Sequence, residues 1–250
     1  MPIALLCAIP PEWDHIRDAM TAPTPEAGVP FGCVRGTLEG HDVVLAEAGI
    51  GKVNTAVVAS LLVERFGVRT ILLSGVAGGV DPGLGIGDVV VGTRAVQHDA
   101  GVASSGEFSP YQAGHVPFFN PTDEFGFECS SHLAAAAERA FSAVELEPLS
   151  ARAGGTGRTP KIAYGTVASG DQYIGCEKRR AEIHARFGAL AVEMEGGALG
   201  QACRVLGVDW LNIRALSDLA GSTSQMDFHA FVHEVAASSA LLLRRLVAAM

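Results

Sequence analysis

Two carboxylates lie within one of the most apolar parts of the chain, in the segment AVEMEGG at positions 191–197. Burying an unpaired carboxylate is costly, so Glu193 and Glu195 need either charged partners or a chemical task. If the segment is an extended strand, alternate residues face the same side, and both glutamates point into one crevice with Met194 opposed. If the extended geometry ends where the next helix begins, Met194 is free to line the crevice as well.

Acidic residues also follow three other largely apolar runs, IPP at 9–11, VASG at 167–170 and NIRALS at 212–217. They are Glu12, Asp171 and Asp218. For any one of them alone, the favoured interpretation is a helix cap, because a carboxylate satisfies free amides and complements the helix dipole. Their recurrence after successive strands favours a shared site, because ligands of α/β proteins bind where strand ends meet in a crevice.

The glycine-rich stretch at 75–88, GVAGGVDPGLGIGD, does not match a phosphate-binding loop. It lacks the G-x-x-x-x-G-K-[ST] pattern, as does GIGKVN at 49–54, which has Val53 at the Ser/Thr position. No strand is followed by G-x-G-x-x-G, which excludes a nicotinamide-dependent oxidoreductase of the usual kind. The stretch is interpreted as a loop or tight turn that lets backbone approach a ligand.

Other reactive side chains give weaker signals. His229 and His233 have a metal-ligand spacing, but the surrounding apolar period is that of an ordinary C-terminal helix without a third ligand, so we expect no metal site. His98 and His115 are better placed to touch a ligand, because they fall in an aromatic loop. The five cysteines show no C-x-x-C pair and no arrangement for a thiol nucleophile.

Bulk composition limits the possible partners. The 250 residues carry a formal net charge of -9 without a basic cluster, which argues against nucleic acid and favours a small-molecule ligand. The scattered cysteines are typical of a reducing compartment, so a cytoplasmic location is expected. The apolar start of the chain lacks a positive n-region and ends too soon for a signal peptide or membrane span. It is predicted to be a buried first strand.

Strands and helices alternate along the chain. Strands are predicted at 3–9, 33–38, 43–48, 70–74, 89–95, 161–168, 189–193 and 210–216. Helices are predicted at 11–20, 52–66, 131–146, 177–187, 195–206 and 227–247. Runs such as TILLSG and DVVVG are typical of strands covered on both faces. The alternation predicts an α/β protein, with one domain over 1–250 in which a mixed, largely parallel, twisted sheet is flanked by helices in three α/β/α layers.

Three segments are predicted to lie outside these elements. Residues 21–30 and 151–160 are interpreted as surface connections. Residues 97–127, rich in aromatics and proline, are interpreted as a long loop with a function or an interface role.

Several motifs stand in an order that resembles a known family. They are EAGIGKVNTA at 47–56, SGVAGG at 74–79, GDVVVG at 87–92, HDA at 98–100, ASGDQYI at 168–174, VEMEGGA at 192–198 and IRALSDLA at 213–220. The chain resembles the nucleoside phosphorylase/nucleosidase superfamily, above all the 5'-methylthioadenosine/S-adenosylhomocysteine nucleosidases. The resemblance runs over nearly the whole chain and implies the nucleoside phosphorylase-like fold.

The resemblance implies a role for each matching residue. Asp218 matches the acid at purine N7, whose pKa burial should raise. Glu12 matches the carboxylate that activates water, and Glu195 the glutamate that holds the ribose hydroxyls. Met194 matches the methionine beneath the sugar, Tyr173 the aromatic stacked on the purine, and Ile174 the residue whose backbone reads the base edge. Arg214 is expected to pair with nearby carboxylates and to help hold the water site. Glu193 is interpreted as a supporting group paired with Arg214, and Ser217 and Val76 complete the predicted substrate site.

The resemblance also helps to predict whether the nucleophile is water, as in hydrolysis, or phosphate, as in phosphorolysis. Relatives that use phosphate hold it with arginines, one shortly before the glycine turn and one after the first strand. This chain has Leu73 and Ser74 before its turn and IPPEW after its first strand. A phosphate dianion has little to hold it beside Glu12, so hydrolysis is expected, with no metal or organic cofactor.

Two departures from the family pattern concern the substrate. The nucleosidases usually have serine where this chain has Val76, and that serine helps position the water. The segment EFSPYQAGHVPFFNP is not a standard match either. By analogy, Phe108, Tyr111 or Pro117 closes the 5' pocket of the neighbouring subunit in a homodimer, and an interface loop without substrate contact is the equal alternative.

Three other functions remain open. The substrate could be another 5'-modified purine nucleoside, such as futalosine. The enzyme could be a phosphate-dependent purine nucleoside phosphorylase. A non-catalytic nucleoside-binding protein on the same fold is the third alternative.

Overall fold

The computed structural model describes residues 1–151 and 157–250, so part of the predicted 151–160 connection lies outside the described residues. The strands are β1 Ile3–Cys7, β2 Thr21–Pro25, β3 Cys33–Leu38, β4 His41–Glu47, β5 Thr70–Gly79, β6 Val89–Gln97, β7 Gly101–Ser104, β8 Glu107–Pro110, β9 Phe127–Glu128, β10 Ile162–Ser169, β11 Ala189–Glu193 and β12 Asp209–Asp218. The helices are α1 Pro10–Arg17, α2 Lys52–Phe66, α3 Ser131–Phe141, α4 Glu177–Phe187, α5 Gly196–Leu206 and α6 Ser224–Ala248.

One large mixed sheet forms the centre, in the order β11-β10-β6-β12-β5-β1-β4-β3-β2, with β9 on β6. The pairs of β1 with β4 and β5, of β5 with β12 and of β10 with β6 and β11 are parallel. Those of β12 with β6 and of β11 with β5 are antiparallel. The predicted mixed α/β sheet is confirmed.

The two faces of the sheet are covered by different helices. Leu5 and Leu72 belong to a core that includes side chains of α1, α3 and α6. Leu6 and Leu73, their neighbours in sequence, belong to a second core with side chains of α2 and α5. Alternate strand residues face opposite sides, so this division is what a sheet between two helical layers requires. The result is a three-layer α/β/α arrangement.

β5 determines where the site lies. Its first half pairs with β1, and its last residues, Gly78 and Gly79, pair with Val192 and Ala191 of β11. β12 runs alongside it along its whole length. A single strand therefore brings the ends of β1, β11 and β12 into one region.

The structure corrects several sequence-based boundaries. Gly75–Gly79 were interpreted as a loop or turn but continue β5. The predicted 21–30 connection includes the edge strand β2, where proline is tolerated because one side of the strand forms no ladder. The predicted long loop contains the β7–β8 hairpin, whose turn has positive φ at Ser105 and Gly106. None of the described helices combines the length and apolar character that a bilayer crossing requires.

We predict that Gly200→Ala lowers stability, although alanine normally improves a helix interior. A Cβ on this α5 residue would lie 2.8 Å from Phe127 Cβ and 3.0 Å from Trp210 Cζ2. Overpacking of this kind costs about 1–3 kcal/mol. Denaturant unfolding should show this loss, whereas Ser60→Ala on the exposed face of α2 should lose far less. A Gly200→Ala protein as stable as wild type would contradict the tight packing of α5 on the sheet.

Candidate active site

A cavity of about 550 Å³ lies where β1, β5, β11 and β12 end. The residues predicted for the site that line it are Glu12, Val76, Tyr173, Glu193, Met194, Glu195, Arg214, Ser217 and Asp218. A second cavity of about 580 Å³, between the 124–130 segment and α5, contains none of them. The first cavity is the candidate active site because it gathers the buried carboxylates.

Glu12 is held by backbone amides from two elements. It is the third residue of α1, whose first turn begins with two prolines that suit a helix start. Its Oε2 accepts from the amides of Ala8 at 2.8 Å and Ile9 at 3.2 Å, and its Oε1 accepts from that of Val76 at 3.0 Å. Glu12 thus satisfies free amides at the start of α1, as the cap interpretation expects, and it also lines the cavity. Burial raises the pKa of Glu12, with the charge of Arg214 and these amides opposing it.

Arg214 is the fully buried cation of the site. Its Nη2 lies 2.5 Å from Glu193 Oε2 and 3.1 Å from Glu195 Oε2, and its Nε donates to Asn212 Oδ1 at 2.8 Å. Burial would lower the pKa of Arg214, but the surrounding glutamates, Glu193 first, raise it. The guanidinium is therefore a permanent positive charge that makes the buried carboxylates tolerable.

Glu193 and Glu195 have unequal roles, because their oxygens are unequally occupied. Glu193 accepts from the Ser169 hydroxyl, from the amides of Glu195 and Gly196, and from Arg214. Its acceptor positions are thus taken up by the protein.

Among the described residues, Glu195 accepts only from the Gly51 amide, at 2.9 Å, and from Arg214. It therefore keeps lone pairs for a ligand. Burial raises the pKa of Glu195 to about 7, with Arg214 opposing the shift.

Met194 lines the cavity together with both glutamates. β11 ends at Glu193, and Glu195 is the N-cap of α5 with φ -126° and ψ -45°. The strand alternation is broken there, so Met194 is not opposed to its neighbours. Of the two arrangements considered from sequence, the structure shows the one in which the extended geometry ends before the helix and Met194 lines the cavity. Glu195 itself is a cap rather than the first helical residue.

Asp218 is the last residue of β12 and lines the cavity. Its Oδ1 accepts from the Ala220 amide at 2.8 Å and its Oδ2 from the Ser217 hydroxyl at 3.0 Å. Burial raises the pKa of Asp218, and these two hydrogen bonds oppose the shift. A raised pKa favours the protonated form, which is the form a general acid needs.

Glycines allow the charged groups to meet. A Cβ at Gly75 would overlap Arg214 Nη1 and lie 2.5 Å from Glu12 Oε1, and one at Gly78 would lie 2.9 Å from Asp218 Oδ1. The glycines of SGVAGG are therefore required for close approach of side chains, not for a turn.

The remaining predicted residues are distributed between the cavity and other regions. Tyr173 lines the cavity and is 55% exposed. Ile174 is buried in a neighbouring apolar cluster and does not line the cavity, which leaves only its backbone for a base. Phe108, Tyr111 and Pro117 lie in and after the β7–β8 hairpin and do not line this chain's own cavity.

Several lining residues were missed from the sequence. Gln225, Phe228 and His229 of α6 face the cavity, so the interpretation of His229 as purely structural is incomplete. The only signal was their position after Asp218, because their apolar period is that of an ordinary helix. Conversely, His98, favoured as a ligand contact, is fully buried away from the cavity. Within the described residues, no group of His, Cys, Asp and Glu could hold a metal ion.

Comparison with known proteins identifies the family. Residues 2–248 match the family model described as Phosphorylase superfamily. The 5'-methylthioadenosine/S-adenosylhomocysteine nucleosidase of Mycobacterium tuberculosis (strain CDC 1551 / Oshkosh) is 47% identical over 245 residues, which cover 98% of this chain and 96% of the relative. The chain belongs to the phosphorylase superfamily, in its 5'-methylthioadenosine/S-adenosylhomocysteine nucleosidase family. The predicted membership of an N-glycosyl hydrolase family is confirmed.

Solved structures of relatives agree with the nucleosidase fold. The Neisseria meningitidis nucleosidase in complex with methylthio-immucillin-A is 32% identical, with a TM-score of 0.83 and coverage of 100% of this chain and 99% of that one. A futalosine hydrolase mutant of Helicobacter pylori strain 26695 is 26% identical, with a TM-score of 0.82 and coverage of 99% and 98%. The scaffold is therefore shared by enzymes named for different 5'-modified nucleosides.

We predict that Glu195→Gln flattens the pH dependence of stability. Between about pH 4.5 and 7, folded Glu195 keeps a proton that the unfolded chain has released, so its contribution to the unfolding free energy falls as pH rises. One such proton accounts for at most about 1.4 kcal/mol per pH unit. Urea unfolding at several pH values measures the slope. Glu64→Gln, on the exposed face of α2, should leave it unchanged. Equal slopes for wild type and Glu195→Gln would contradict the raised pKa.

Proposed function

We propose that the protein hydrolyses the N-glycosidic bond of 5'-methylthioadenosine, S-adenosylhomocysteine or both, and releases adenine. The observation that carries the proposal is the charge of the cavity, which contains Glu12, Glu195 and Asp218 with raised pKa values. Its lining holds one arginine and no lysine among the described residues, and that arginine is paired with Glu193 and Glu195.

This charge distribution favours water over phosphate as the nucleophile. A phosphate dianion beside Glu12 would meet a second carboxylate and no unpaired Arg or Lys in the described lining. Phosphate sites in proteins are built from arginine, lysine and free backbone amides. The amides of Ala8, Ile9 and Val76 already donate to Glu12. A water molecule, by contrast, gains a base there.

In the proposed reaction, the C1'–N9 bond breaks and its electron pair goes to the purine. Asp218 donates its proton to purine N7, which makes adenine the leaving group. Water attacks C1', and its proton goes to Glu12. Positive charge develops on the ribose as the bond breaks, and the negative cavity stabilises it.

The sugar is proposed to bind through Glu195 and Met194. Glu195 has lone pairs that Gly51 and Arg214 leave unused, and the 2' and 3' hydroxyls of a ribose are donors that match them. Met194 supplies an apolar surface beneath the ring, and Tyr173 an exposed aromatic face for the purine. Ile9, Ile50 and Phe228 are apolar lining residues that could contact the 5' substituent.

Val76 replaces the serine that nucleosidases usually have. The position of Glu12, the proposed general base, does not depend on the side chain at residue 76. The Val76 backbone amide, not its side chain, holds Glu12 Oε1 at 3.0 Å. We propose that the water is positioned by Glu12 alone on this side. The likeness to the futalosine hydrolase structure makes futalosine the alternative substrate to test.

The assembly and location follow as further parts of the proposal. The family match over 2–248 supports a single domain covering 1–250. The exposed Phe118 and Phe119, at 87% and 84%, support a homodimer in which Phe108, Tyr111 or Pro117 reaches the 5' pocket of the neighbouring subunit. The free thiols of all five cysteines support a cytoplasmic location.

We predict that the purified protein releases adenine and a free 5-methylthioribose from 5'-methylthioadenosine in phosphate-free buffer. Added phosphate should change neither the rate nor the products, because the described cavity lining offers no unpaired Arg or Lys to bind it. Chromatography detects adenine, and phosphorus NMR detects any ribose 1-phosphate. S-adenosylhomocysteine and futalosine complete the substrate panel. A phosphate-dependent reaction yielding a sugar phosphate would make the protein a phosphorylase.

We predict that Asp218→Asn and Glu12→Gln each lower kcat by about 100-fold or more, because each removes a proton transfer. Binding of 5'-methylthioadenosine, measured by calorimetry, should be retained. Asp88→Asn is the matched control, since Asp88 is fully buried and hydrogen-bonded but lies outside the cavity. If neither substitution slows turnover more than a few-fold, these residues are not the acid and base. Nucleoside binding without any turnover by wild type would instead indicate a binding protein.

A further inference from the structure

The amide that holds Glu195 comes from a distant part of the chain. Gly51, just before α2, donates to Glu195 Oε1 at 2.9 Å across 144 residues of sequence. It supplies one of the two groups that position this carboxylate; Arg214 supplies the other. Any movement of the start of α2 therefore moves a hydrogen-bond donor of Glu195.

The start of α2 relies on distant residues to hold its amides. Gly51 is the N-cap, with φ 100°, and has no side chain of its own to cap the helix. The local side-chain hydrogen bonds, from Asn54 Nδ2 to the Ile50 carbonyl and from Thr55 Oγ1 to the Gly51 carbonyl, hold carbonyl groups only. Gly49 also has positive φ, at 77°, and glycine allows many other backbone conformations. Ile50, between them, lines the cavity. The segment therefore contributes to the site, and its Gly51 and Lys52 amides are held by carboxylates distant in sequence, those of Glu195 and Asp171.

Lys52 connects this segment to the ends of two other strands. Its Nζ lies 2.7 Å from Asp99 Oδ1 and 3.2 Å from Gln97 Oε1, both at the end of β6. Its backbone amide donates to Asp171 Oδ1 at 2.9 Å, after β10. The Asp171 amide in turn donates to Asp99 Oδ2 at 3.0 Å. Lys52, Asp99 and Asp171 thus form a closed cycle of hydrogen bonds.

The Lys52–Asp99 pair is shielded enough to hold its position. The side chains are 20% and 16% exposed, unlike the open Arg35–Asp42 pair at 47% and 48%. Burial would raise the pKa of Asp99, but the hydrogen bond and charge of Lys52 and the Asp171 amide hold it below its ordinary value. Partly buried pairs are screened less by salt than exposed ones.

We propose that Lys52 and Asp99 are positioning residues for ribose binding: they hold the Gly51 amide where it orients Glu195 toward the sugar hydroxyls. Neither Lys52 nor Asp99 lines the cavity, so both act through Gly51. The inference rests on the proposed function, because it assigns Glu195 to the ribose. Charged hydrogen bonds of this kind contribute enough to change sugar selectivity measurably.

The test is the selectivity between 5'-methylthioadenosine and its 2'-deoxy analogue, expressed as the ratio of their kcat/KM values. Lys52→Met should reduce this ratio by about tenfold, because a misplaced Glu195 gains less from the 2' hydroxyl. Most of the loss should appear as a raised KM for the ribonucleoside. Asp99→Asn should have the same effect. The double variant should lose no more than either single variant if the pair acts as one unit.

Arg158→Met is the matched control. Arg158 also pairs at 2.7 Å with a buried aspartate, Asp88, but this pair makes no described hydrogen bond to Gly51 or Glu195. It should leave the ratio unchanged even if it lowers the melting temperature. A Lys52→Met enzyme that keeps wild-type selectivity, while the wild type discriminates, overturns the positioning role alone. A wild type that cleaves neither substrate overturns the proposed function and the inference with it.

Discussion

The ion pairing of the buried Arg214 guanidinium with Glu193 and Glu195 is the interaction on which the rest of the site depends. Glu12, Glu193 and Glu195 all contribute to raising its pKa, and it opposes the effect of burial on Glu12 and Glu195. Removing one member of such a buried group leaves an uncompensated charge, at a cost of about 3–5 kcal/mol. The fold accommodates the group only because Gly75 leaves space between Arg214 and Glu12. The glycine at position 75 and the buried charged groups are therefore structurally interdependent.

Much of this arrangement is readable from the sequence, because local pattern and function coincide there. The apolar runs of β1, β5 and β12 and the acidic residues that follow them predict a sheet with carboxylates at one edge, and the structure agrees. The expected pairing of Glu193 with Arg214 is confirmed. The resemblance pointed to Glu195 as the glutamate for the ligand, but the physical reason required the structure, because it depends on the Ser169 hydroxyl and the Gly51 amide, both remote in sequence.

The features that sequence patterns did not predict share one physical cause, which is long-range contact. The proline-containing β2 forms a strand because β3 pairs with it, and glycines extend β5 because β11 and β12 flank them. The cavity-facing His229 lies in a helix whose apolar period gives no sign of it. Propensity and periodicity report local preference, and tertiary pairing overrides them at such positions.

The proposed binding of the ribose by Glu195 couples ligand binding to the protonation of this carboxylate. In the free protein this carboxylate has two donors, and burial raises its pKa to about 7, so near neutral pH a substantial fraction is protonated. Two hydroxyl donors from a sugar would favour the ionised form, since hydrogen bonds to a carboxylate lower its pKa. By linkage, sugar binding then strengthens as pH rises toward and past 7. Under the proposed role, the cost of burying Glu195 without enough partners is a property of the empty site, and a ligand that carries a vicinal diol would offset it.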